Sequence, residues 1–194
     1  GIGSYTNDGA TPWIYYNTAS TGNVIPGVGV SVKLATPGEI TSTGTALNTS
    51  NVIFGITATG SRNKFNLLGN PFTAYVNSAT FTSLNTGALT EETIWLWDGT
   101  NYTTRNNLTD IEIAPGQAFF VEALSDTAIL FNTDNRTHQN TDTFMKGGST
   151  SNFELFIENE DTKMSTKVFY VDGKTTGFDN GYDSKMFGGT GYEL

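Results

Sequence analysis

Punctuation is the feature that most constrains this chain. Gly, Pro or Asn-Thr interrupts nearly every stretch of a dozen residues, and no apolar pattern at i, i+3, i+4 lasts long enough to build a helix. What recurs instead is short runs rich in β-branched and aromatic residues, at 13–16, 28–34, 52–58, 64–68, 93–97, 111–113, 118–123, 127–131, 153–158 and 167–171. In 28–34, Val28, Val30, Val32 and Leu34 alternate with Gly29, Ser31 and Lys33, the period of two of a strand with one buried face. Asp98-Gly99 and Asn180-Gly181 are turn dipeptides. Many short strands closely spaced predict an all-β chain, an antiparallel, jelly-roll-like β-sandwich.

An internal echo refines that expectation. Trp13-Ile-Tyr-Tyr16 precedes Val24-Ile-Pro-Gly-Val-Gly-Val-Ser-Val32, and about eighty positions later Trp95-Leu-Trp-Asp98 precedes Ile113-Ala-Pro-Gly-Gln-Ala-Phe-Phe-Val121. Each Pro-Gly suits a type II turn, Pro fixing φ and Gly taking the positive-φ position. Either duplicated halves or convergent turn chemistry gives such a pattern. The expected organisation is a sandwich over 1–146 with two similar strand-turn-strand halves. A linker over 147–152 (Gly-Gly-Ser-Thr-Ser-Asn) comes next, and then the start of a second β unit over 153–194, truncated or packed on the first.

Composition excludes several function classes. The formal net charge of −9 lacks the basic footprint that nucleic acid requires and disfavours anionic membrane surfaces. With no cysteine, thiolate metal sites, cysteine nucleophiles and disulfide frameworks are ruled out. A single histidine, His138, leaves no multi-histidine metal centre. No apolar run reaches the roughly 18 residues of a spanning helix, so the chain is not expected to be membrane-inserted. Thr (32) and Asn (19) outnumber the charged residues, which are 15% of the chain, so hydroxyls and amides must make up most of its polar surface. The opening Gly-Ile-Gly-Ser reads as the start of a processed or excised piece.

Five blocks in order carry a family resemblance. Lys64-Phe-Asn-Leu-Leu-Gly-Asn-Pro-Phe72 resembles the "NLIGNPYP" element of secreted Bacteroidota proteins. Ile94-Trp-Leu-Trp-Asp98, Ile113-Ala-Pro-Gly-Gln-Ala-Phe-Phe-Val121 and Thr141-Asp-Thr-Phe144 are similar to segments downstream of that element in the same proteins. Thr175-Thr-Gly-Phe-Asp-Asn-Gly-Tyr-Asp-Ser184, with Phe187-Gly-Gly189, is similar to a further block. The departures are Phe72-Thr73 where Tyr-Pro is commoner, and Ala118 where Gly is commoner. The resemblance spans about residues 10–190. It implies a β-sandwich segment of a flavobacterial cell-surface or secreted protein exported by the type IX secretion system, upstream of its C-terminal sorting domain, with no catalytic activity.

Four groups of residues are candidate sites. Asp172, Asp179, Asn180 and Asp183 lie in a Gly-punctuated tract whose hard oxygens suit calcium, although the spacing is not that of an EF-hand. The same residues also make Asx turns. Tyr16, Trp97 and Tyr102 are candidate glycan-stacking residues. Trp95 and Trp97, like Trp13 and Tyr15, are two apart and share a strand face, which favours core for the tryptophans and puts Tyr16, Leu96 and Tyr102 on or near the opposite face. His138 falls in a polar loop, no Gly-x-Ser-x-Gly elbow occurs, and the pairs Asp110/Glu112 and Glu158/Asp161 read as solvated faces more readily than as glycosidase carboxylates. Asp126-Thr127-Ala128 resembles the short O-glycosylation signal of Bacteroidota secreted proteins, marking Thr127. Asn48, Asn101, Asn107 and Asn135 head sequons that an Asn/Thr-rich chain also produces by chance.

The expected function is therefore a non-catalytic extracellular module, structural or adhesive, at the outer surface or outside the cell. The alternative is a carbohydrate-binding module accessory to a secreted polysaccharide-degrading enzyme. Expected partners are the rest of a larger polypeptide, secretion-apparatus proteins or an extracellular glycan. The edge at 167–171 is expected to be open to a further strand.

Overall fold

The computed structural model describes residues 1–17, 19–39, 41, 43–45, 50–138, 152–158 and 163–185. In chain order the strands are β1 (Ile2–Tyr5), β2 (Trp13–Tyr16), β3 (Val30–Val32), β4 (Val52–Ile56), β5 (Phe65–Gly69) and β6 (Tyr75–Asn77), then helix α1 (Ser78–Leu84). Next come β7 (Ile94–Trp97), β8 (Tyr102–Arg105), β9 (Glu112–Ile113), β10 (Ala118–Glu122), β11 (Thr127–Phe131), a 3-10 turn at Thr133–Asn135 and β12 (Arg136–Thr137). A hairpin, β13 (Asn152–Glu158) and β14 (Lys163–Phe169), completes the series. All strand pairs are antiparallel and are grouped as β2-β1-β3, β5-β10-β7-β8, β11-β4, β12-β6-β9 and β13-β14. The fold is all-β and sandwich-like, with no closed barrel.

The sheet β5-β10-β7-β8 is the centre, and its pleat divides its side chains between two packing layers. From one face Leu68, Phe119, Val121, Ile94 and Leu96 enter a core with Ile56 of β4, Ile129 and Phe131 of β11, Val76 of β6 and Ile113 of β9. Phe81 of α1 stacks on Phe131 (4.9 Å between centroids) and meets Phe119 edge-on at 5.3 Å. On the other face the cross-strand pairs Phe120–Trp95 and Phe120–Leu67 carry a second, aromatic layer. Tyr5 of β1 and Trp13 of β2 pack edge-on against Phe120 at 4.8 and 6.5 Å, so the N-terminal sheet covers this side.

The two sheets join at a corner that only glycine permits. Gly29 N–H donates to the Leu67 carbonyl (3.1 Å) and Gly69 N–H to the Gly27 carbonyl (2.9 Å), which adds residues 27–29 to the free edge of β5. A Cβ on Gly29 would lie 2.5 Å from the Leu68 carbonyl oxygen. The Pro-Gly turns occur as expected in one respect: Gly27 and Gly116 have φ of 93° and 69°. The two copies of the pattern are nonetheless wired differently. β7 pairs directly with β10, whereas β2 and β3 are separated by β1.

Asparagine replaces strand neighbours where the short sheets run out. Asn85 is buried just after α1; its amide donates to the Phe81 and Leu130 carbonyls (2.9 and 3.0 Å) and accepts from Leu130 N–H at 2.8 Å, as an extra strand beside β11 would. Asn66 does the same for both peptide groups of Thr57. Asn70 donates to Ala74, Ile113 and Ala114 and accepts from Phe72 N–H. An unpaired buried peptide group costs about 1–3 kcal/mol, so the buried and half-buried bonds of Asn70 and Asn85 remove a penalty from their loops, whereas the exposed Asn66–Thr57 bracket fixes geometry at groups that water could otherwise satisfy.

Helix α1 departs from the helix-free expectation. Its seven residues are shorter than a periodicity window detects; Asn77 caps it by accepting from Thr80 N–H at 3.0 Å, and Ser78, Phe81 and Thr82 supply a buried side. Strands β1, β6, β8 and β12 fall outside the expected runs, and β14 starts at Lys163 rather than 167. The two-stranded sheet β13-β14 has no third strand among the described residues. The expected linker at 147–152 lies outside the described residues except for Asn152, as do Thr141–Phe144, the 186–194 end, Asn48 and Asp161.

Candidate functional site

The central sheet's aromatic face gives rise to two adjoining sites. Trp95 and Trp97 share that face, as their spacing predicts, but have different fates: Trp95 is 0% exposed and Trp97 56%. Trp95 lies mid-sheet, edge-on to Phe65 at 5.0 Å, while Trp97 ends β7 beyond the cover of the N-terminal sheet. Tyr102 is the cross-strand partner of Trp97, so it lies on the Trp97 face, not the opposite one. The rings are 5.0 Å apart with a 59° tilt, and Tyr102 also rests on Phe120 at 5.7 Å. Burial raises the pKa of Tyr102, with a smaller contribution from Tyr5, so the phenol stays neutral. The turn between the two rings is fixed by Asp98, whose Oδ1 accepts from Thr100 and Asn101 N–H at 2.8 Å each. Those two bonds, Asn101 first, hold the Asp98 carboxyl below its ordinary range, and Gly99 takes φ 106°.

Tyr16 does not join this pair. It opposes Ile2, which opposes Val32, so it lies with Ile14 on the other face of the N-terminal sheet. Trp13 and Tyr15 occupy the face directed at Phe120, and Tyr15 lies over Gly3. Leu96, by contrast, is buried in the core on the face opposite Trp97.

The second site is a cradle filled by residues 180–185. Asn180 Oδ1 accepts from Glu92 N–H (2.7 Å), the Gly181 carbonyl from Asn107 N–H (2.9 Å), and the Tyr182 carbonyl from the Asn106 amide (2.5 Å). Ser184 Oγ lies 3.0 Å from Thr93 Oγ1, and Trp95 Nε1–H donates to the Lys185 carbonyl at 2.9 Å. Beneath them Glu91 has a fully buried side chain; its Oε2 accepts from Lys185 N–H at 3.2 Å, while Oε1 has no hydrogen bond and faces Lys185 Nζ at 3.8 Å. Lys185 Nζ also reaches Glu122 at 3.2 Å. Burial raises the Glu91 pKa, and the Lys185 N–H and ammonium oppose that rise. Nothing in local sequence spacing could reveal this assembly, because its partners are more than sixty positions apart.

The acidic tract is the approach to this strap. Asp179 Oδ2 accepts from Thr175 N–H and Oγ1 (2.6 and 3.0 Å), and Asp183 Oδ2 accepts from Asp179 N–H at 2.6 Å. Asn180 is engaged by Glu92, and exposed Asp172 makes no hydrogen bond to the others. These are Asx-type turns, and among the described residues no three His, Cys, Asp or Glu side chains gather as metal ligands.

The remaining candidates are dispersed. His138 is exposed. Asp110 and Glu112 both accept from the Asn77 amide, at 2.7 and 3.2 Å, and Glu112 also from the Thr137 hydroxyl. Glu158 pairs with Lys163 in the hairpin at 3.1 Å. Thr127 is exposed at the start of β11. Among the sequons, Asn107 and Asn135 amides are engaged by Glu92 and the Thr80 carbonyl, and Asn101 is exposed. No described helix is long and apolar enough to cross a membrane. No family model matches this chain, and neither does any curated protein or any solved structure.

Proposed function

We propose that this chain is a non-catalytic β-sandwich-like module of an exported cell-surface protein, with an architectural and adhesive role. The observation that carries the reading is the amide bracketing at Asn66, Asn70 and Asn85, which fixes loops to a frame packed on both sides of one sheet. Rigid loops on a rigid frame are what a presenting module requires. The acidic, amide- and hydroxyl-rich surface suits a hydrated extracellular setting, and the block resemblance at 64–72, 94–98, 113–121 and 175–184 supports export by the type IX system. Its partners are then the parent polypeptide and the secretion apparatus. A second reading, carbohydrate binding beside a polysaccharide-degrading enzyme, is favoured by the exposed Trp97 ring beside Tyr102.

Two measurements test these readings. Fractionation of the producing cell, with and without a working type IX system, should place the parent protein outside only when that system works; intracellular protein in both cases overturns the export reading. Titration of neutral oligosaccharides against the chain and Trp97→Ala separates the two roles. Binding lost with the indole establishes the glycan module, whereas no binding by either leaves the architectural reading standing alone.

A further inference from the structure

The tip of the β7–β8 hairpin carries an exposed indole, a half-buried phenol and an ordered carboxylate within six consecutive residues, 97–102. Resting on the carbohydrate-binding reading of this tip, we propose that it takes a single strand of neutral glycan in solution, and that Asp98 sets the preference for an uncharged ligand.

Ring orientation separates a flat polysaccharide surface from a single chain. The planes of Trp97 and Tyr102 are 59° apart, with centroids at 5.0 Å, so no planar ligand lies flat on both. The face of a crystalline polysaccharide is planar and meets only one of the two rings squarely. A single chain turns from one sugar to the next. It can stack an apolar pyranose face on the indole and still pass the edge of the phenol. Tyr102 rests on Phe120 at 5.7 Å, which holds that ring in place before any ligand arrives and lowers the ordering cost of binding. Trp97 is the accessible member of the pair, and residues 98–101 beside it are all exposed, so the tip is open to a chain longer than the site.

Charge separates neutral glycans from acidic ones. Asp98 Oδ1 is committed to the N–H groups of Thr100 and Asn101, whereas Oδ2 makes no hydrogen bond among the described residues. That second oxygen is an acceptor for sugar hydroxyls, fixed by the bonds its partner makes. The exposed Thr100 hydroxyl and Asn101 amide supply donors in the same turn. Between Ile94 and Arg105, Asp98 is the one anion and Arg105 the one cation. Arg105 is the cross-strand partner of Ile94, whose side chain enters the core, so it lies on the sheet face opposite Trp97 and Tyr102. A uronate or sulfate group on the ligand therefore meets a like charge, with no cation of β7 or β8 on its own side. The formal net charge of −9 acts in the same direction.

Calorimetry with cello-, xylo-, manno-, laminari- and maltohexaose, set against oligogalacturonate, tests the inference, together with retention on microcrystalline cellulose and chitin. At least one neutral hexasaccharide should bind saturably, oligogalacturonate and the crystalline solids should not, and Trp97→Ala should abolish binding. Asp98→Asn keeps an oxygen for the two turn N–H groups and removes the charge. It should weaken the neutral ligand about tenfold and let oligogalacturonate bind more tightly than it does to the unsubstituted chain. The ratio between the two ligands is the decisive readout, since a merely loosened turn would weaken both alike. Equal affinity for neutral and anionic chains, a ratio unchanged by Asp98→Asn, or retention on the solids without binding of a soluble chain overturns the inference while leaving a glycan module in place. Binding of none of these probes overturns the inference and the carbohydrate reading together.

Discussion

Trp95 donates its indole N–H to the carbonyl of Lys185, ninety positions later, at 2.9 Å, and this bond closes the aromatic face of the central sheet. Trp95→Phe keeps a ring against Phe65 but leaves that carbonyl without its donor. The expected loss is about 1–3 kcal/mol of stability, read as a lower urea midpoint. Trypsin should also cleave after Lys185 faster than in the unsubstituted chain. Trp97→Ala, two residues along, removes a ring that is 56% exposed and should cost no more than about 1 kcal/mol. Equal losses at the two positions would contradict the assignment of one ring to the interior and the other to the surface.

Asn85 satisfies three backbone groups at once, two of them on Leu130. Asn85→Ala removes the bracket and leaves the outer edge of β11 without partners, at an expected cost of about 2–4 kcal/mol. Asn101→Ala, at an exposed turn whose hydrogen bonding runs through Asp98 and its own backbone N–H, should stay within about 0.5 kcal/mol. Chemical denaturation of the two variants checks the contrast, which fails if both are neutral.

These brackets mark the division between what the sequence reveals and what it conceals. Strands β2 and β11 are legible to the residue, because continuous β-branched and aromatic runs bounded by polar residues state both type and limits. β1 is not: Ile-Gly-Ser-Tyr has little strand character and becomes a strand because β2 and β3 flank it. Helix α1, Ser-Ala-Thr-Phe-Thr-Ser-Leu, carries no stripe, only Phe81 in the core and an Asn cap. The abundance of Asn is visible in the sequence, but not that it replaces missing strands, since each amide's partners lie in another element. The face shared by Trp95 and Trp97 is set by their spacing. Their different exposure depends on how far β1 and β2 extend over the sheet, which is a tertiary fact.

Calcium removal should leave the fold unchanged. Asp179 and Asp183 each commit a carboxylate oxygen to backbone N–H groups within the tract, and Asn180 commits its carbonyl oxygen to Glu92 N–H. The tract is thus ordered by its own turns. A chelator titration followed by melting should show no shift. A fall in melting temperature that calcium restores and magnesium does not would overturn this.

Two glycines separate close approach from mere flexibility. Gly29→Ala drives a methyl to 2.5 Å from the Leu68 carbonyl and must part the corner between the sheets, so a loss of about 1–3 kcal/mol is expected. Gly55, paired with Ala128 in β4, has nothing within 4 Å of a built Cβ and no positive φ. Gly55→Ala should be neutral or slightly stabilising. A thermal melt of each variant is enough, and destabilisation at Gly55 alone would refute the corner argument.

Asp126 and Glu91 give the chain opposite responses to pH. The Thr59 hydroxyl, with help from the Ala58 N–H, holds the Asp126 carboxyl below its ordinary pKa. A depressed folded pKa contributes stability that is present above the unfolded pKa and lost as pH falls through the folded one. The gap between the unsubstituted chain and Asp126→Asn should therefore be widest near neutrality and close below the carboxylate range. Burial, the larger influence, raises Glu91 despite Lys185. Its favourable contribution is complete below the unfolded pKa and lost as pH rises through the raised one, so Glu91→Gln should gain on the unsubstituted chain as the medium becomes less acidic. Urea midpoints across a pH series measure both slopes. Parallel curves for the chain and Glu91→Gln would show that this carboxyl titrates alike folded and unfolded, which is incompatible with its place under the strap.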